Sequence, residues 1–365
     1  MNKENEISRK RDTIDAIDGK ILDLINQRLF TAKEIGRLKT KKGSQVFDSA
    51  RESVLIKRLQ AINNGPLSSH ALRHIYTEIM AAAREIQSPQ KIAYLGPEAT
   101  FTHIAAINHF GRSVTFAPQT NIPDIFRAVE KESYHFGVVP VENSIEGAVN
   151  YTLDLFAESE LKICAEIYQP ISHDLLSRSG SIDDIDVIYS HPQAFAQCRR
   201  WLRNHLPDCR LTECSSTAEA ARKAFGEEGS AAIASQEAAQ FYKLEVVASK
   251  IEDTARNVTR FLVIGKNEIR PTGRDKTSIM FVTSHVPGAL YKVLQPISES
   301  GINMVKLESR PSRQENWSYM FFVDVEGHID EPAVSHTVKR MKALCLFLKR
   351  LGSYPRAPED SNGRK

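Results

Sequence analysis

The chain has 365 residues, of which 41% are hydrophobic and 25% charged, with a formal net charge of +3. That length suits two or three domains with proper cores, and so small a charge excess gives no argument for a nucleic-acid partner. No stretch approaches the roughly 20 apolar residues of a membrane-spanning helix, the polar N-terminus lacks the apolar run of a secretory signal, and the five cysteines, with no C-x-x-C pair, read as reduced cytosolic thiols.

Residues 1–90 read as a first domain, patterned as helices from about Ile7 to Gln87. A first helix is predicted from near Ser8 to about Lys42, stopped by Gly43-Ser44. Ile14, Ile17, Ile21, Leu24, Ile35 and Leu38 recur at heptad-like spacing, the pattern of a helix that packs along its length. The same register puts Arg28 on the apolar seam, where a cation is costly unless an anion compensates it. Lys39 follows about three turns later and faces nearly the same side. Arg11 lies roughly 26 Å before Arg28 along the axis, so it joins a shared site only from a second, antiparallel subunit. Asp48, Arg51 and Glu52 share one face of a second helix, and a third helix, Ser68 to Gln87, sets Ala83 and Gln87 one turn apart. Singly, each charge is what any helical surface carries. As a set around one seam, Arg11, Arg28, Lys39, Asp48, Arg51, Glu52 and Gln87 are harder to read as ordinary surface charges.

The run R-x6-D at Arg11 and Asp18, then Arg28, Lys39 and D-x-x-R-E at Asp48 to Glu52, resembles the all-helical chorismate mutase domain, an intertwined dimer. The resemblance implies rearrangement of chorismate to prephenate, which needs no acid, base or nucleophile. Fixed cations lower its barrier by stabilising the charge that grows on the ether oxygen and by holding the compact conformer. It further implies that Arg28 and the partner subunit's Arg11 clamp carboxylates. Lys39 and Gln87 would donate to the ether oxygen, Arg51 would assist at a carboxylate, and Asp48 and Glu52 would hold the ring hydroxyl. Where the family has serine one turn before the glutamine, this chain has Ala83, a loss of one ligand hydrogen bond worth about 1 kcal/mol.

Residues 91–268 alternate short apolar runs with helical stretches. Strands are predicted at Ile92 to Leu95, Val138 to Val141, Val187 to Tyr189 and Phe261 to Ile264. Polar side chains follow the strand ends: Thr100 after Gly96-Pro97, Asn143 in Glu142-Asn143-Ser144, then Ser190, His191 and Gln193, and finally Ser216 before the helix Ala218 to Phe225. Open α/β sheets bind ligands at such carboxyl ends, and helix N-termini favour carboxylates, although Ser and Thr there ordinarily serve as caps. Thr259 and Arg260, just before the last strand, add a cation beside a small hydroxyl.

Together LGPEATF, VVPVENSIEG, SHPQAFAQC, STAEAA and NVTRF resemble the prephenate dehydratase domain. This implies two α/β lobes, similar to type 2 periplasmic binding proteins, with the site in the crevice. The implied chemistry is decarboxylative elimination, in which prephenate loses carbon dioxide and its ring hydroxyl. Hydroxide leaves poorly without a donor, and the family gives that role to the threonine of T-R-F, here Thr259. Arg260 is a candidate substrate ligand, although adjacent residues of an extended segment point in opposite directions. Ala99 stands where the family has glycine, which requires either φ below zero or tolerated strain.

Lys266 to Lys276 reads as a linker. Residues 277–356 are predicted to run βαββαβ, with strands at Thr277 to Ser284, Ile302 to Glu308 and Trp317 to Val325, helices at Gly288 to Ser300 and Pro332 to Ala343, and a last strand near Leu351. Residues 357–365 read as a disordered tail. Pro287-Gly288-Ala289-Leu290 and Glu308-Ser309-Arg310-Pro311 resemble the two phenylalanine-binding motifs of the ACT domain, an α+β module. The resemblance implies that L-phenylalanine bound there is an allosteric inhibitor.

The whole chain resembles the family of chorismate mutases fused to a prephenate dehydratase and closed by an ACT domain. It implies a multidomain homodimer or larger homo-oligomer in the cytoplasm, converting chorismate to prephenate to phenylpyruvate without metal or organic cofactor. Its rivals are arogenate dehydratase activity and a non-catalytic amino-acid sensor; Thr259, Arg28 and Lys39 speak against the sensor.

Overall fold

The computed structural model describes residues 3–41, 49–311 and 319–357. The chain divides into two compact units, one built mainly of helices and one that carries the sheets.

Helix α1 (Lys3–Lys41) is followed by α2 (Ser49–Ile62) and α3 (Ser69–Gln87). With 39 residues α1 is about 58 Å long at 1.5 Å per residue. Ser68 caps α3, its hydroxyl accepting from the Ala71 N–H at 3.1 Å. Where α1 meets α3, Gly36 leaves no room for a side chain: a Cβ there would lie 2.6 Å from Gln87 Cγ. The apolar seam of α1 stays uncovered by the described residues, with Ile14 56% and Leu24 63% exposed. Gly43, Ser44 and Asp48 lie outside the described residues.

The second unit takes in Ser49–Val54 of α2, and its sheets start with β1 (Lys91–Leu95), α4 (Phe101–Phe110), β2 (Thr115–Gln119), α5 (Ile122–Glu130), β3 (Phe136–Asn143), β4 (Gly147–Ala148), α6 (Asn150–Glu158) and β5 (Lys162–Pro170). The chain then crosses into a second lobe: β6 (Asp174–Ser177), β7 (Val187–Ser190), α7 (Pro192–Gln197), α8 (Arg199–His205), β8 (Arg210–Glu213), α9 (Thr217–Gly226), β9 (Ser230–Ala234), α10 (Gln236–Tyr242) and β10 (Glu245–Ala248). It returns through β11 (Val258–Gly265), which inserts antiparallel between β3 and β5. The first sheet therefore has the order β2-β1-β3-β11-β5, with β4 on β3, and the second β10-β6-β9-β7-β8. Burial on both faces explains the unbroken apolar runs of β7 and β9.

The last sheet is built from β12 (Asp275–Val282), β13 (Met304–Pro311), β14 (Tyr319–Glu326) and β15 (Phe347–Pro355), with α11 (Ala289–Glu299) and α12 (Pro332–Leu344) between them. Its order is β13-β14-β12-β15, all antiparallel, the arrangement expected of βαββαβ. Ile279 and Phe281 face the two helices, while Met280, Phe322, Leu351 and Tyr354 face the first lobe and share its core with Phe156 and Leu262. This alternation is the two-residue period of a strand.

Three sequence readings are corrected here. Thr259 and Arg260 sit inside β11, not before it. The supposed linker ends early: Asp275 and Lys276 are buried in β12, and the Asp275 carboxylate accepts from the Thr272 and Gly273 N–H groups at 2.7 and 3.0 Å. Ala357, the first residue of the supposed tail, donates its N–H to Glu166 Oε1 at 3.0 Å.

Gly352 of β15 lies against the backbone of Ile163 in β5, where a Cβ would collide with a carbonyl oxygen and an amide nitrogen. Gly352→Ala should therefore destabilise the protein by about 1–3 kcal/mol, the usual cost of overpacking. Urea unfolding of the purified variant measures it, and an unchanged midpoint would refute the close approach.

Candidate active sites

A cavity of about 920 Å³ opens between the two lobes, where the ends of β1, β3 and β7 meet the starts of α4, α7 and α9. Thr100, Asn143, His191, Gln193, Ser216 and Thr259 all line it. Thr259 and Asn143 are directly paired across β11 and β3. Asn143 Nδ2 donates to Thr259 Oγ1 at 2.9 Å and to Asn257 Oδ1 at 2.8 Å, while Asn143 Oδ1 accepts from the Ile145 and Glu146 N–H groups. Because the threonine oxygen accepts from Asn143, its own O–H is left to donate toward the cleft.

The network continues into the other lobe. Asn257 Nδ2 donates to Gln197 Oε1 at 2.9 Å, and the same oxygen lies 2.9 Å from His173 Nε2. Glu146 accepts from Gln197 Nε2 at 3.3 Å and also from Gln193. The lobes are thus latched by amides of α7 on a carboxylate of the loop after β3. Sequence reasoning missed Asn257, Gln197, Glu146 and His173. Two carried a signal: Asn257 stands two residues before Thr259, on the same side of an extended segment, and Gln197 stands one turn after Gln193. His173 had none.

Other predicted residues divide between lining and capping. Ser216 caps α9 by accepting from the Glu219 N–H at 3.0 Å. Thr100 donates to the carbonyls of Leu95 and Pro97, both at 3.0 Å. His191 caps the short α7, and burial pushes its pKa below the usual imidazole value. Burial lowers that of His173 as well, against the opposing effect of its bond to Gln197. Ala99 has φ +64°. The family's glycine position is therefore left-handed here, and alanine bears a strain of about 1–2 kcal/mol.

Two candidates are corrected. Ser190 is fully buried and donates to the Ile233 carbonyl at 2.8 Å, so it braces β7 against β9 and does not line the cleft. Arg260 points away from the cleft, as the alternation of a strand requires, and is bound by Glu166 and Asp324.

In the helical unit, Arg28 is half-buried and its Nη1 has no hydrogen-bond partner among the described residues. Gln87 packs on Gly36 and donates to the Ala83 carbonyl at 3.0 Å. Lys39 follows Gly36 by about one turn, so the contact with Gln87 falls on its stretch of α1. Arg11 is exposed near the far end of the same helix. Arg51, exposed, and Glu52, half-buried, lie in the first turn of α2, which falls in the sheet-bearing unit.

At the start of α11 a cavity of about 410 Å³ is lined by Gly288, Ala289 and Leu290 with Thr283, Tyr319 and Phe321. Gly288 has φ +78°, a conformation glycine adopts without strain. Glu308, Ser309, Arg310 and Pro311 do not line this cavity. Arg310 instead lies 3.4 Å from Asp154 of α6.

Three family models match in order along the chain: chorismate mutase type II over residues 10–88, prephenate dehydratase over 92–269 and the ACT domain over 277–340. The bifunctional chorismate mutase/prephenate dehydratase of Aquifex aeolicus is 47% identical over 96% of this chain and 98% of its own length. That of Pseudomonas aeruginosa is 42% identical over 98% of this chain and 100% of its own. Among solved structures, the prephenate dehydratase of Arthrobacter aurescens in complex with L-Phe superposes with a TM-score of 0.68 at 33% identity, covering 73% of this chain and 90% of that one.

A neutral buried His173 has a pH signature. Its folded pKa lies below the unfolded value of about 6.5, so its contribution to stability is complete above that pH and is lost as pH falls toward the folded value. His173→Gln, which cannot titrate, should flatten the acid-side loss by up to about 1.4 kcal/mol per pH unit, the slope for one proton. Urea titrations at several acidic pH values read the slope, and equal slopes in both proteins would contradict a neutral imidazole.

Proposed function

The chain belongs to the family of bifunctional chorismate mutase/prephenate dehydratases, and on that premise we propose that it rearranges chorismate to prephenate with its N-terminal helices and converts prephenate to phenylpyruvate in the interlobe cleft. The observation that carries the second activity is the Thr259–Asn143 pair at the cleft wall. Loss of carbon dioxide sends an electron pair into the ring, and aromatisation expels the ring hydroxyl. Thr259 donates its hydrogen to that leaving oxygen. A threonine hydroxyl is a weak acid, so charge growing on Oγ1 needs support, and the Asn143 amide directed at Oγ1 supplies it. The N-termini of α4 and α9, which open on the cleft, suit the substrate carboxylates.

For the first activity, the buried Nη1 donor of Arg28, unpartnered among the described residues, suits a carboxylate, and Lys39 and Gln87 suit the ether oxygen. The roles of Asp48, Arg51 and Glu52 follow from the family motif. Arg11, roughly 26 Å from Arg28 along one helix, serves only if two copies lie antiparallel, and the uncovered apolar seam of α1 favours such a homodimer. By likeness to the Arthrobacter complex, L-phenylalanine is the inhibitor here, bound beside Gly288, Ala289 and Leu290. Strand β13 is an edge strand among the described residues, so Glu308 to Pro311 would reach such a ligand from a second copy. The five free cysteines suit a cytoplasmic enzyme.

Purified protein given chorismate should yield phenylpyruvate, read by its absorbance in alkali; none from the wild type would sink the proposal. Supplying prephenate and arogenate separately decides between the two dehydratase substrates. Thr259→Ala should lower dehydratase kcat by about 10²–10⁴-fold and leave mutase turnover within about twofold. Lys39→Ala should do the reverse, lowering mutase turnover by about 10²–10³-fold. Parallel loss of both activities in either variant would count against separate sites.

A further inference from the structure

The face of β11 turned away from the cleft carries charges that the elimination leaves unused. Arg260 is only 5% exposed, yet it lies 3.0 Å from Glu166, 2.7 Å from Asp324 and 4.0 Å from Glu142, and donates to the Tyr354 hydroxyl at 3.0 Å. Lys276 meets Glu166 at 2.9 Å, and Lys306 meets Glu142 at 2.7 Å. Ser278 donates to Asp324 at 2.5 Å and shares a 2.7 Å hydrogen bond with Tyr354. Three cations, Arg260, Lys276 and Lys306, thus face three carboxylates, Glu142, Glu166 and Asp324. Burial alone would raise the pKa of Asp324, but the Arg260 guanidinium and the Ser278 hydroxyl outweigh it and keep the group ionised. Two of the carboxylates stand on strands of the first lobe, β3 and β5. The third, with both lysines, stands on the ACT sheet.

Strand register ties this cluster to the cleft. Thr259 pairs with Asn143, and Arg260 pairs with Glu142. Neighbouring residues of a strand face opposite sides, so one cross-strand pair faces the cleft and the next faces the ACT sheet. Only one residue step, about 3.4 Å, separates them. A shift of β13 and β14 that drags Arg260 or Glu142 must turn the same two strands that hold Thr259 and Asn143. The strand that grips Glu142 through Lys306 also carries Arg310, tied to Asp154 of α6.

We propose that Arg260 and Glu142 are positioning residues for the elimination: the ACT sheet, holding them through Asp324 and Lys306, sets the approach of Asn143 to Thr259, and phenylalanine inhibits by altering that hold. The inference rests on the Thr259 reading above. It names the residues that carry the regulation, and it places them on the back of the catalytic strand pair and not in a hinge between domains.

Two variants outside both proposed ligand sites test it, with mutase turnover as the control for folding. Asp324→Asn leaves Arg260 short of one carboxylate. Its dehydratase kcat should fall about tenfold with KM for prephenate held within about threefold, because orientation and not binding is lost. Lys306→Met leaves the buried partners of Arg260 in place. Its uninhibited kcat should fall by about threefold, less than in Asp324→Asn, while the phenylalanine concentration for half-inhibition rises about tenfold, with phenylalanine still bound by calorimetry. Should Asp324→Asn fail to fold, the Lys306→Met result decides alone. An unchanged half-inhibition concentration in a Lys306→Met protein that binds phenylalanine overturns the proposal, as does an unchanged kcat in folded Asp324→Asn. A wild type that makes no phenylpyruvate, or ignores phenylalanine, removes the functional reading as well; an active, inhibited wild type with wild-type variants removes this inference alone.

Discussion

Strand β11 leaves the second lobe and inserts between β3 and β5 of the first, and almost everything functional in the larger unit hangs on that insertion. It closes the first sheet, joins the lobes around a cleft, and sets Thr259 opposite Asn143. It also turns Arg260 toward the ACT sheet, so a single backbone segment serves two surfaces. The bulge between Arg260 and Phe261, where the register with β3 shifts, marks the change from this polar pair to the apolar Phe261–Ile264 run that anchors the strand in the core. A bulge there re-aims side chains without ending the pairing.

The charge cluster behind β11 is costly to bury, and its balance of three cations against three carboxylates is what makes it tolerable. An apolar contact between the ACT sheet and the first lobe would hold the two together as well, and Met280, Phe322 and Leu351 already supply one. What the ions add is direction: a guanidinium held by carboxylates from two domains resists sliding of one sheet over the other. On the cleft side the amides and hydroxyls of Asn143, Gln193, Asn257 and Thr259 orient a ligand without pre-empting its charge. Glu146, bonded by Gln193 and Gln197, is the carboxylate that links the two lobes there.

The helical unit poses the opposite problem, with apolar surface in excess of what one chain covers. Ile14, Ile17, Ile21, Leu24 and Leu38 remain exposed along α1, and each such side chain gains about 1.5–3 kcal/mol on full burial. That gain would favour the antiparallel dimer proposed above, the arrangement that the proposed role of Arg11 beside Arg28 requires. Inside one chain, Gly36 is the residue that lets Gln87 approach α1 beside Lys39.

Much of this was legible in the residues themselves because the signals are local. Helix period, the start of α3 near Ser68, the βαββαβ order and the hydroxyl-rich strand ends all depend on neighbours a few positions apart. Thr259, Asn143, His191, Gln193, Ser216 and Thr100 were placed in one cleft for that reason. Tertiary structure alone decided the rest. Ser190 and Thr100 have similar local settings, but pairing with β9 buries one while the other lines the cavity. Arg260 sits in the same motif as Thr259, but what it touches depends on strands β5 and β14, far off in the chain. Sequence set which way each side chain of β11 alternates; only folding determined what waits on each side, because those partners are brought together by sheet register and domain packing and not by spacing along the chain.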